Sequence, residues 1–91
     1  MPRYMVERDF PSGLEIPLNS DGKTLMQKIV HNNAKLGVTW VESFVNPEKT
    51  KTFCVYDAPS QQAIQEAGDI SGVPVGNITE VSVLTPYPYG V

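Results

Sequence analysis

The chain has 91 residues, 41% of them hydrophobic and 19% charged, and a net charge of −3. That length suits one small domain with a modest core, the composition excludes a disordered polymer, and the acidic balance disfavours a nucleic-acid backbone as partner. No apolar run nears the roughly 20 residues that span a bilayer, and MPRYMVERDF lacks the apolar centre of a secretion signal, so a cytoplasmic protein is expected.

RYMVERD (3–9) predicts a strand, with Tyr4 and Val6 on one face and Met5 and Glu7 on the other. FPSGLEIPLNSDG (10–22) holds two prolines and two glycines and predicts a connecting loop. KTLMQKIVHNNAKLG (23–37) predicts a helix, because Leu25, Met26, Ile29, Val30 and Leu36 fall within one apolar arc at about 100° per residue. Ser20 or Asp21 suits its start and Gly37 its end.

VTWVESFV (38–45) and KTFCVY (51–56) predict two strands joined by the turn NPEKT. Pro59 suits the first turn of a second helix, SQQAIQEAG, with Ala63, Ile64 and Ala67 on its apolar side. SGVPVG breaks the chain, and NITEVSVLT (77–85) alternates as a last strand. Pro86 and Pro88 make PYPYGV (86–91) an extended tail rather than a central strand.

Strand, helix, strand, strand, helix, strand predicts an α+β, ferredoxin-like βαββαβ domain spanning residues 1–91. Its four-stranded antiparallel sheet carries both helices on one face. The other face is bare, and a second copy of the chain is the simplest cover, giving a homodimer of the dimeric α+β barrel type.

Small aliphatic side chains suit packing under helices. Val41, Val45, Phe53, Val55, Val81 and Val83 are therefore expected on the helix side. Glu7, Trp40, Glu42, Phe44, Cys54, Tyr56 and Glu80 are then expected on the open face. Of these, Glu7, Trp40, Glu42, Cys54, Tyr56 and Glu80 form a candidate ligand pocket between facing sheets. In an enclosed pocket the carboxylates have raised pKa values and suit acid or base work, with Tyr56 as a proton donor. The structural alternative is that the aromatic residues are interface core and the glutamates pair with Arg3, Arg8 or lysines. His31, the only histidine, projects opposite the apolar arc towards solvent, so a Cys54–His31 catalytic dyad is not expected. Metalloprotease, phosphate-loop and hydrolase-elbow motifs are absent from the sequence.

YMVERDFP, VTWVESFV, KTFCVYDAP and SGVPVGNITEV together resemble the small nickel-binding ferredoxin-like proteins, most of them catalogued only as a domain of unknown function. The resemblance implies a ferredoxin-type fold, a homodimer with facing sheets, and nickel as a ligand. With one histidine in the chain, such a site would draw on Cys54, on carboxylates, or on two His31 side chains related by symmetry. The expected function is a small soluble homodimeric binding protein with a small-ligand or metal site between facing sheets, with a nickel-binding protein or a cofactor-free enzyme of the same barrel type as alternatives.

Overall fold

The computed structural model describes residues 1–16 and 18–91, so the loop predicted over 10–22 is described save for Pro17. In chain order the elements are β1 (Arg3–Asp9), α1 (Ser20–Lys35), β2 (Thr39–Val45), β3 (Lys51–Asp57), α2 (Gln61–Ser71) and β4 (Ile78–Val81). One antiparallel sheet has the order β2-β3-β1-β4, which is the ferredoxin-like arrangement read from the sequence. No helix is long and apolar enough to cross a membrane among the described residues.

Local chemistry fixes the element ends. The side chain of Asn19, rather than of Ser20 or Asp21, caps α1: its Oδ1 accepts from the backbone N–H groups of Asp21 at 3.0 Å and Gly22 at 3.2 Å. Ser60 Oγ caps α2 by accepting from Ala63 N–H at 3.1 Å, so Pro59 lies just outside the helix. The β2–β3 turn is held by Asn46, whose Oδ1 accepts from Thr50 N–H at 2.9 Å and Lys51 N–H at 3.0 Å.

β4 stops at Val81, shorter than the alternation predicts, and Tyr87–Tyr89 fold into a 3₁₀ turn instead of an extended tail. Tyr4, Val6, Cys54, Tyr56, Ile64 and Ala67 form the heart of the core, between the sheet and α2. On α1, Val30 is 53% exposed although it belongs to the apolar arc. The helix instead buries Gly22, Asn32 and Asn33, and half-buries Met26 and Ile29.

The two sheet faces differ from the expected ones. Directly paired residues share a face. Buried Tyr4, Val6 and Arg8 therefore set the helix side, which also takes Tyr56, Cys54 and Thr52 of β3. β2 has a bulge: Trp40 pairs with Tyr56, but Glu42 pairs with Val55, leaving Val41 as the extra residue. The bulge inverts the alternation, so Trp40, Ser43 and Val45 all share the helix side, while Glu42 and Phe44 share the open face with Val55 and Phe53. Phe53 and Val55 thus stand opposite to their expected side, and so do Trp40, Cys54 and Tyr56. The size rule fails because this helix side is not a plain aliphatic layer. It accommodates aromatic residues with polar ends beside a buried arginine.

Candidate functional site

The helix side encloses a cavity of about 250 Å³. Its floor is the sheet, through Trp40, Cys54 and Tyr56; Met26 and Ile29 of α1 roof it, and Phe10, Leu14 and Ile16 of the first loop wall it. Leu25 and Val45 also line it and are 40% and 48% exposed, so the cavity reaches solvent at their end.

Trp40 is held in place by an indole N–H that donates to Ser43 Oγ at 2.8 Å. Residues three apart in a regular strand point to opposite faces; the bulge at Val41 is what lets these two meet.

The polar end of the cavity is built on Arg8. This residue is 5% exposed. One terminal nitrogen donates to the carbonyl of Pro74 and the other donates to Tyr56 Oη at 3.1 Å, while the guanidinium carbon lies 5.7 Å from the Tyr56 ring centre. Arg8 sits beside Gly68 in the last turn of α2, where an added Cβ would come within 3.7 Å of the guanidinium. The helix end and the carbonyl supply partial negative charge. Among the described residues, the ion pairs are Arg3–Asp57, Lys51–Glu7 and Lys51–Asp9, so none involves Arg8. Glu15 lies at the rim, exposed and unpaired with it. Taking an ion out of water costs several kcal/mol, which a full counter-charge would offset.

Burial raises the Tyr56 pKa above its ordinary value, so the phenol keeps its proton at neutral pH and can donate it while accepting from Arg8. Beyond it, Cys54 Sγ donates to Thr52 Oγ1 at 3.5 Å, both groups being buried. On the open face, the hydrogen bond from Arg3 holds the Asp57 carboxyl below the usual range.

The six residues expected in one pocket are divided by the sheet. Trp40, Cys54 and Tyr56 line the cavity under α1. Glu7 and Glu42 lie on the opposite face, with Glu7 paired to Lys51 at 3.6 Å and accepting from Asn77 Nδ2 at 3.2 Å. Glu80 pairs with Tyr4 on the edge strand, on the helix side but exposed. No carboxylate from the expected set enters the cavity. Arg8, absent from that set, is its one buried cation. The signal was the alternation of Tyr4, Val6 and Arg8, which puts the arginine in phase with two core residues.

For a metal, several nitrogen, oxygen or sulfur donors must converge. Cys54 is buried under α1, whereas His31 is exposed on α1 and outside the cavity lining. Among the described residues no three of His, Cys, Asp and Glu come together. The donor set of a single chain does not fit nickel.

Residues 4–81 match the family described as nickel-responsive protein, SCO4226-like. The fold is similar to that in the crystal structure of SCO4226 from Streptomyces coelicolor A3(2), with a TM-score of 0.70 at 17% identity, over 91% of this chain and 99% of that one. No curated protein matches the sequence.

Proposed function

From its place in the nickel-responsive SCO4226-like family, to which the chain belongs, we infer that it is a small binding protein whose ligand site is the cavity between α1 and the sheet. One observation carries the reading: an apolar space of about 250 Å³ stays open beneath a helix whose Met26 and Ile29 would otherwise close onto the sheet. Well-packed interiors hold few voids larger than a water molecule, so a space of this size invites a ligand.

Trp40 is the only tryptophan and lines the cavity, which makes it a built-in reporter. Titration of tag-free protein with toluene is expected to shift or quench its emission in a saturable way. Nickel chloride in the same assay is expected to leave the emission unchanged, because donors do not converge near Trp40. A response to nickel with none to toluene would reverse the assignment.

The open face supports a homodimer. It carries Phe44, 54% exposed, with Phe53 and Met5 only half-buried, and among the described residues no helix covers it. A second copy laid face to face would bury this stripe. Sedimentation is expected to give a dimer for the wild type and a monomer for Phe44→Glu. A monomeric wild type at micromolar concentration would remove the proposal.

A further inference from the structure

We propose that the cavity takes a small amphipathic monocarboxylate, its carboxylate paired with Arg8 and Tyr56 and its apolar body lying among Leu14, Met26, Ile29 and Trp40. This inference rests on the reading of the cavity as the ligand site.

The charge pattern of the lining selects the ligand head. Arg8 is a full positive charge, 5% exposed, and its partners are a carbonyl and a phenol rather than a carboxylate. A guanidinium is a planar fork matched to the two oxygens of a carboxylate. Tyr56 accepts from Arg8 and keeps its own proton, so it adds a second donor beside the fork. A phosphate monoester, with charge near −2, would ask for further cations. Among the described residues the lining contains no lysine and no second arginine, and Glu15 at the exposed rim is itself negative, so Arg8 can neutralise one negative charge at the buried end and no more.

The volume selects the tail. A cavity of roughly 150 Å³ accepts benzene; in proportion, this cavity suits about ten non-hydrogen atoms. The walls are aliphatic and aromatic apart from the Arg8–Tyr56 end, the small polar groups of β2 and β3, and Glu15 at the exposed rim. A chain of about eight carbons ending in a carboxylate fills both requirements.

The test follows Trp40 emission while tag-free protein is titrated with octanoate, octan-1-ol and octylamine at one ionic strength. Octanoate is expected to bind at least about tenfold more tightly than octanol, the factor that one charge-assisted hydrogen bond supplies, with octylamine weakest. Arg8→Met is expected to bring octanoate down to the octanol level, provided its circular dichroism matches the wild type. Tyr56→Phe keeps the ring and removes only the hydroxyl; it is expected to lower the preference for octanoate without moving octanol. Should Arg8→Met not fold, the wild-type ranking and Tyr56→Phe still decide. Equal binding of octanoate and octanol overturns the carboxylate and leaves the apolar site standing. No binding of any of the three overturns the site itself.

Discussion

Replacing Ile64 with alanine is expected to lower the unfolding free energy by about 2–5 kcal/mol. Ile64 is 1% exposed and, with Val6, is one of the two largest side chains that are fully buried. It projects from α2 into the cluster formed by Tyr4, Val6, Tyr56 and Ala67. Alanine removes the transfer free energy of the missing carbons and leaves a void that the sheet cannot collapse into. The gain in helix propensity recovers less than about 1 kcal/mol. Domains of this kind have about 5–15 kcal/mol in total, so the loss takes a large share of the stability. Urea denaturation should show a lower midpoint at an unchanged slope. Val30→Ala, on the exposed side of α1, is the matched control and is expected to stay within about 0.5 kcal/mol of the wild type. An Ile64→Ala midpoint equal to that control would show that α2 does not anchor the core.

Gly76→Ala is expected to cost about 1–3 kcal/mol for a different reason. A Cβ at position 76 would come within 2.6 Å of the carbonyl oxygen of Glu7 and 3.5 Å of its carbonyl carbon. These are backbone atoms, and they cannot rotate away as a side chain can. The same oxygen accepts from Gly76 N–H at 2.8 Å, and Glu7 N–H donates to Asn77 O at 2.9 Å. Relief of the clash therefore opens the hydrogen bonds that lead β4 onto β1. Amide exchange should quicken at Glu7 and Gly76 before it changes in β3. Wild-type exchange at both amides, with wild-type stability, would contradict the close approach.

The fold was legible because it is written in periods. Alternation in 3–9, the apolar spacing of α1 and the turn residues around Asn46 and Pro47 gave the element order, and that order gave the topology. Caps were less legible: Asn19, Ser20 and Asp21 are all good capping residues in a row, and only geometry chooses among them. The lining of the candidate cavity was legible in part. Trp40, Cys54 and Tyr56 do meet, but under the helices, because a rule based on side-chain size chose the wrong face for β3. Arg8 was missed because a charged residue is ordinarily assigned to solvent. Its phase with Tyr4 and Val6 outweighs that habit once a hydroxyl and a carbonyl are there to receive it.

Val41 bears on how this chain is to be set against its relatives. At 17% identity, a strand of seven residues offers little to fix an alignment. Where a relative lacks the bulge, one unmatched residue in β2 must be absorbed somewhere, and its place decides which side chains are read as equivalent. Put at 41, the gap keeps Trp40 and Ser43 together as cavity-lining positions. Put at either end of the strand, it equates an inward residue with an outward one along half of β2. A comparison of cavity-lining residues with a relative that lacks the bulge turns on the placing of that single gap.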